Sequence, residues 1–128
     1  MPLYWTIDSK ARLFTSVAEG NVTLSDAIDL LEAMAGAKAM AYRKLFDGRA
    51  ATPSMTSDEM LSLCARIRGY HDHGMMGALA MVATPEQTMV FARLLGALAS
   101  AKRPIRVFTS PRQARNWIED QTTERAAP

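Results

Sequence analysis

One local pattern constrains this sequence more than any other: an apolar stretch leads through a capping Ser or Thr into an amphipathic segment, four times over. The caps recur every 26 to 33 residues, about the length of one strand–helix unit. They are Thr23, Thr56, Thr84 and Ser110. Glu59 and Gln87 each lie three residues after a cap and are expected to return a hydrogen bond to it. The pattern predicts an α/β protein whose helices join parallel strands by right-handed crossovers.

The apolar segments between the caps predict five strands. Residues 3–7 and 12–18 are separated by a short turn, so they are expected to pair antiparallel. The three later strands are predicted at residues 42–47, 78–83 and 105–109. Residues 19–21 are expected to end the second strand, and residues 48–55 to form a loop, because both contain glycine. The order is therefore ββαβαβαβα, with a mostly parallel central sheet, one antiparallel N-terminal strand, and all four helix N-termini at the same edge.

Apolar residues at helical spacing after each cap predict the buried helix faces. These residues are Ala27, Leu30, Leu31 and Met34; Met60, Leu63, Cys64 and Ile67; Phe91, Leu94, Leu95 and Leu98; and Ala114, Trp117 and Ile118. Each set forms a single stripe, so each helix is expected to pack on the sheet through one side.

Length and composition indicate one soluble domain. The chain has 128 residues, 48% of them hydrophobic and 22% charged, so it can bury a core without a disulfide or metal. We assign residues 1–120 to a single domain and expect residues 121–128 to be a frayed tail. Cys64 is the one cysteine, no signal peptide is visible, and the longest apolar run, residues 75–83, is too short to span a bilayer. A reduced cytoplasm is the expected compartment.

Charge argues against nucleic acid as a partner. The net charge is +2, and no run of basic residues exceeds two. A phosphate backbone is normally bound by a dense basic stripe, which this sequence lacks.

Several stretches of the chain resemble the STAS domains, the fold of the anti-sigma-factor antagonists, and especially their SpoIIAA-like bacterial relatives. The resemblance covers nearly the whole chain and rests on residues 16–23, 44–47, 55–60 and 106–110, with Ala114 and Trp117. It implies the SpoIIAA-like arrangement of the elements predicted above. In STAS antagonists a serine at the start of the second helix is phosphorylated by a partner kinase and controls partner binding.

The sequence departs from that family at the phosphorylated serine. The Asp-Ser-Ser-Gly motif is absent, and the segment from Asp47 to Asp58 offers other hydroxyl groups. The resulting candidates for a regulatory phosphosite or partner-binding surface are Ser54, Thr56, Ser57, Asp47, Arg49 and Asp58. A phosphate on Ser57 would meet the helix dipole and Arg49. The simpler interpretation makes Thr56 and Ser57 helix caps, and makes Asp47 a strand-end acceptor of loop amides rather than an acid or a metal ligand.

We therefore expect a non-enzymatic, STAS-like regulatory module that binds a protein partner or associates with itself through the second helix, Arg66 included. The alternative is a binder of a small anionic metabolite, nucleotide or lipid, although lipid-carrying relatives need a larger helical lid. Its candidate anion-binding residues are Arg49, Ser57, Thr84, Ser110 and Arg112.

No cofactor or metal is predicted. The sequence contains no phosphate-binding loop and no hydrolase motif. The metal-like residues Cys64, His71, Asp72 and His73 lack the paired spacing of zinc ligands, and Cys64 lies on an apolar stripe.

Overall fold

The computed structural model describes residues 3–53, 56–72, 76–87 and 104–121, which form five strands and three helices. In chain order they are β1 (Leu3–Asp8), β2 (Leu13–Val22), α1 (Leu24–Gly36), β3 (Arg43–Pro53), α2 (Ser57–Asp72), β4 (Leu79–Val82), β5 (Ile105–Phe108) and α3 (Pro111–Asp120). The helix predicted after Pro85, with its stripe from Phe91 to Leu98, and the expected tail after residue 121 lie outside the described residues.

The five strands form one mixed sheet in the order β1-β2-β3-β4-β5. β1 runs antiparallel to β2, and every other neighbouring pair is parallel. The turn between β1 and β2 is set locally, because the Asp8 carboxylate accepts the amides of Lys10 and Ala11 at 3.0 and 2.9 Å. The predicted fold class is confirmed.

The two faces of the sheet pack against different helices. On one face Phe14 lies in a buried cluster with Met34 of α1, and Leu30 contacts the same cluster. On the other face Leu45 and Val82 lie in a buried cluster with α3, whose inward residues are Ala114 and Ile118. α3 is anchored further by Phe108 and Trp117, whose ring centroids are 5.7 Å apart.

Each predicted cap forms the expected hydrogen bonds. Hydroxyl oxygens of the caps accept backbone amides three residues on, at 3.1 to 3.3 Å, in the pairs Thr23–Asp26, Thr56–Glu59, Thr84–Gln87 and Ser110–Gln113. In the first three pairs the later side chain also accepts the amide of the cap residue. The starts of α1, α2 and α3 are therefore determined locally, as the sequence predicted.

Two strands are longer than the sequence predicted. β2 continues through Gly20 to Val22, and β3 continues through Gly48 to Pro53. Asp47 pairs with Val17 but Ala50 pairs with Glu19, so β3 carries one extra residue, a β-bulge at residues 48–49. The predicted strand end at residues 19–21 and the predicted loop at 48–53 were wrong. Gly20 takes a left-handed φ of 70°, which glycine allows at low cost, so the strand is not broken there.

The extended strands leave a protruding two-stranded ribbon, residues 19–22 of β2 and 50–53 of β3. β1 pairs with β2 only as far as Ala18, and β4 pairs with β3 only as far as Asp47. α1 begins directly after Val22, which is level with Pro53. The level of Pro53 lies five residues of β2 beyond the level of Asp47, about 17 Å of strand. All four predicted caps follow the carboxyl ends of parallel strands, as expected, but α1 and α2 begin beyond the end of the ribbon, whereas Thr84 and Ser110 follow the shorter strands β4 and β5.

Two basic residues at the start of β3 fix the opposite end of the sheet. Lys44 is only 4% exposed, and its ammonium donates to the carbonyls of Met40 and Tyr42, the latter at 2.7 Å. The Arg43 guanidinium donates to carbonyls at the end of α3, at 3.1 Å for Glu119, and to Ala11 at 2.6 Å. It thereby satisfies helix-end acceptors and ties α3 to the β1–β2 turn.

Candidate functional site

The bulge in β3 is closed by an ion pair between two of the predicted site residues. Asp47 Oδ1 accepts the backbone amide of Arg49 at 3.1 Å and its Nε at 3.0 Å, and Asp47 Oδ2 accepts Nη2 at 2.8 Å. The side chains therefore meet in a two-point, fork-to-carboxylate contact across Gly48. We call this pair the Asp47–Arg49 clamp.

The clamp shifts the pKa of each of its members in the direction that favours the charged form. The side-chain hydrogen bond from Arg49 holds the pKa of Asp47 below its ordinary value, although partial burial of the carboxyl acts in the other direction. The same hydrogen bond raises the pKa of Arg49. Asp47 is thus a carboxylate at neutral pH. As the sequence suggested, it accepts a nearby amide, but it lies within a strand, not at a strand end.

Arg49 is held in place yet remains accessible. Its side chain is 44% exposed, and among the described residues no hydrogen bond occupies its Nη1. A guanidinium held on one side has already lost much of its rotamer entropy, so it binds an external acceptor at a lower entropic cost. The clamp therefore presents a fixed, outward-facing donor beside the ribbon.

Gln87 connects the clamp to the segment after β4. Its side-chain Nε2 donates to the carbonyl of Gly48 at 3.1 Å and lies 3.5 Å from the carbonyl of Ala51. β4 has ended at this level, so the Gln87 amide covers carbonyls that a further strand would otherwise satisfy. Two residues beyond Ala51, Pro53 has no amide hydrogen to offer on the same side. This edge of the ribbon is therefore closed to another strand.

The predicted residues at the start of α2 are exposed and lie beyond the ribbon. Thr56, Ser57 and Asp58 are all exposed, and the Thr56 hydroxyl serves as the cap of Glu59 at 3.1 Å. Arg49 is committed to Asp47, and nothing described brings it to Ser57. Ser54 lies outside the described residues.

Three of the five anion-binding residues of the alternative hypothesis make contacts within the protein, and Ser57 and Arg112 are exposed. The hydroxyls of Thr84 and Ser110 accept the backbone amides of Gln87 and Gln113 at 3.3 and 3.2 Å. Arg49 is paired with Asp47, while Arg112 is exposed on α3. Among the described residues, no hydrogen bond or ion pair joins any two of these five residues.

Cys64 is a core residue. It is 2% exposed, and burial raises the pKa of its thiol although Arg68 opposes the shift. Within the described residues, no group of three or more His, Cys, Asp or Glu side chains is placed to hold a metal ion. The side chains of His71 and Asp72, and all of His73, lie outside that part.

Three tertiary contacts of the structure have little signature in the sequence. Lys44 and Arg43 read as ordinary strand residues, and Gln87 read only as half of a capping pair. A lysine in an otherwise apolar strand is a weak signal of a buried charge. No local pattern indicates that a side-chain amide will reach a strand 36 to 39 residues earlier.

The sheet order and crossovers define the class: this is a SpoIIAA-like, STAS-like α/β fold. An uncharacterized protein of the DUF3478 family from Shewanella loihica PV-4, described as having a SpoIIAA-like fold, is similar with a TM-score of 0.67. The match covers 91% of this chain and 93% of that one at 13% identity, so the likeness is one of fold. No family model matches the chain, and no curated protein matches it. Among the described helices, none is both long and apolar enough to cross a membrane.

Proposed function

We propose that this protein is a non-enzymatic, STAS-like regulatory module that binds a protein partner through the surface formed by the clamp, the ribbon and the start of α2. The observation that carries the proposal is the clamp itself. Arg49 is preorganised by Asp47 and exposed on its outer side, which suits recognition of a carboxylate or phosphate on a partner.

The surroundings of the clamp support a binding surface. Glu19, Asn21 and Thr52 of the ribbon are exposed, as are Ser57 and Asp58 at the start of α2. Protruding polar segments on a rigid sheet are typical positions for recognition. The fold-level resemblance to STAS antagonists adds weight, since that family regulates by contacts near the start of the same helix. This last argument is an analogy of fold.

Affinity capture from source-cell lysate, quantified by mass spectrometry, tests the proposal. Arg49→Glu reverses the exposed charge and should reduce recovery of the specific partner about tenfold or more, the effect of roughly 1.4 kcal/mol in binding. Asp58→Lys should also change recovery if the surface extends to α2. Arg115→Glu is the matched control, because Arg115 is equally exposed but lies on α3.

The result that contradicts the proposal is an unchanged set of partners for folded Arg49→Glu. The ligand alternative is separated by thermal shift with inorganic phosphate and nucleotides, since a ligand that binds the native state raises its apparent stability. A shift at millimolar phosphate that disappears in Arg49→Glu, with no partner captured, would favour the anion binder instead.

A further inference from the structure

The outer edge of β1 is a free strand edge of the described sheet. β1 stands at one end of the strand order, and among the described strands only β2 pairs with it. The unpaired backbone groups of an edge strand are a template for another strand, and proteins usually block them.

Two other strand edges in the described part of the chain carry such blocks. The edge of β3 beyond β4 is covered by Gln87 and ends at Pro53. β5 has four residues, follows Pro104, and exposes Arg106. β1 differs, because its six residues contain no lysine and no proline, and its pairing with β2 runs without a bulge.

β1 also exposes large hydrophobic side chains. Within the described residues only three such side chains are exposed, and two of them, Tyr4 at 51% and Ile7 at 36%, belong to this strand. Since side chains alternate along a strand, Tyr4 and Ile7 lie on opposite faces of the sheet. A strand added to this edge would contact one of them on each face.

We propose that a second copy of this chain occupies the edge, with the two β1 strands antiparallel across a twofold axis at Thr6. In that register Thr6 faces Thr6 of the partner subunit, and Trp5 faces Ile7 of the partner subunit. Both are favourable cross-strand pairs, a threonine pair and an aromatic–β-branched pair.

The position of the charged residue in β1 is also compatible with this register. Asp8 is the one charged residue in β1, and it would face Tyr4 of the partner subunit. The two copies of Asp8 would lie at opposite ends of the strand pair, so no like charges are opposed. The result is a continuous ten-strand sheet with an isologous interface. This interface involves neither the clamp nor α2, so it stands independently of the partner-binding proposal.

Sedimentation velocity over a range of protein concentration tests the proposal. The contact is small, so a reversible dimer is expected at micromolar to millimolar concentration. Thr6→Lys places two lysines opposite each other and should shift dimerisation to at least about tenfold higher concentration. Thr15→Lys is the matched control, because Thr15 pairs with Thr6 on the same face but lies one strand inward. Leu61→Asp perturbs the exposed side of α2 instead.

The expected result is dimerisation of wild type, Thr15→Lys and Leu61→Asp, and its loss in Thr6→Lys. At a dilution where the wild type is also monomeric, the melting temperature of Thr6→Lys should be unchanged. A wild-type protein that stays monomeric to ~1 mM, the weak end of the affinity scale, overturns the proposal. Loss of the dimer in Leu61→Asp but not in Thr6→Lys would overturn it too, because it would place the contact on α2.

Cysteine crosslinking gives a second readout that does not depend on disrupting the dimer. In a Cys64→Ser background, Thr6→Cys should form a disulfide-linked dimer under mild oxidation, because directly opposed residues have Cβ atoms ~5 Å apart. Tyr4→Cys should not, since the two copies of residue 4 would be separated by four residues of strand, ~14 Å. Equal crosslinking of both variants, or of Tyr4→Cys alone, would refute the pairing.

Discussion

Gly77→Ala should destabilise this protein much more than a glycine-to-alanine change normally does. A Cβ at residue 77 would lie 2.2 Å from the carbonyl oxygen of Tyr42 and 2.6 Å from that of Ala41. These are backbone atoms of the segment between α1 and β3, so relief requires the two chain segments to separate by about 1 Å to regain ordinary contact distances.

The cost can be worked from what the separation would disturb. Overpacking of a tight contact costs ~1–3 kcal/mol. The amide of Gly77 donates to the carbonyl of Met40 at 3.0 Å, and the same carbonyl receives the ammonium of Lys44. Weakening those hydrogen bonds adds ~1 kcal/mol. The expected loss in the free energy of unfolding is therefore about 2–4 kcal/mol.

Urea unfolding followed by far-UV circular dichroism measures the effect, with Gly69→Ala as the control. A Cβ at Gly69, inside α2, meets nothing within 4 Å, and alanine is the better helix former by ~0.5–1 kcal/mol. The same chemical change should thus lower stability at one position and raise it at the other. If the free energy of unfolding of Gly77→Ala lies within ~0.5 kcal/mol of the wild-type value, with an unchanged dependence on urea concentration, then Gly77 does not approach the Tyr42 backbone closely enough to exclude a Cβ.

Three further predictions concern single residues. Lys38 has a left-handed φ of 58° in the turn that ends α1, where its amide donates to the carbonyl of Ala35 at 3.0 Å. Lys38→Gly should therefore raise the free energy of unfolding by ~0.5–1 kcal/mol, because glycine adopts this φ without strain. Urea titration measures the difference, and a decrease would contradict the prediction. Arg49→Gln should raise the pKa of Asp47 toward its ordinary value, measured by carboxyl ¹³C chemical shifts against pH. Because that pKa is lowered in the folded wild type, the stability lost in Arg49→Gln should be evident at pH 7 and should vanish as the pH falls below ~4, so a constant difference down to pH 2 would count against the clamp. Cys64, buried and with a raised pKa, should react with a thiol reagent at pH 8 at least about a hundredfold more slowly in the native protein than in urea, with equal rates arguing against its burial.

The fold was predictable because the signals that start its helices and strands lie within short segments of the sequence. A cap such as Thr56 and its partner Glu59 are three residues apart, so their hydrogen bonds depend on little beyond the segment that contains them. The apolar run around Met81 predicted a buried strand for a similar reason, since a strand covered on both faces needs apolar residues throughout.

The ribbon was not predictable, because its residues carry the signals of a turn. Gly20, Gly48 and Pro53 each weaken a strand in isolation. They are tolerated where a left-handed φ, a bulge and an uncovered strand edge accommodate them. Whether two such segments pair depends on tertiary contacts, among them the long-range hydrogen bond from Gln87.

Both residues of the clamp were predicted from the sequence as site residues, but their contact with each other was not. Asp47 and Arg49 were both named, but their separation of two residues suggested a strand end followed by a loop. The bulge between them supplies the backbone turn that lets one carboxylate accept both the amide and the guanidinium of Arg49. The same contact pairs Arg49 with Asp47, a partner that was not predicted from the sequence, which placed Arg49 beside a phosphate on Ser57.

The bulge also reverses the alternation of side chains between the two sides of β3. Before it, odd-numbered residues such as Leu45 point to the α3 side, yet after it Ala51 contacts the cluster of Leu3, Ala18 and Val22 on the α1 side. An alignment that assumes unbroken alternation would therefore assign the outer half of this strand to the wrong side. Deleting Gly48 would remove the bulge and restore strict alternation, with Ala51 still level with Gly20 and on the side of the same apolar neighbours. The spacing between Asp47 and Ala51 is thus as informative a marker for finding relatives of this protein as the identity of either residue.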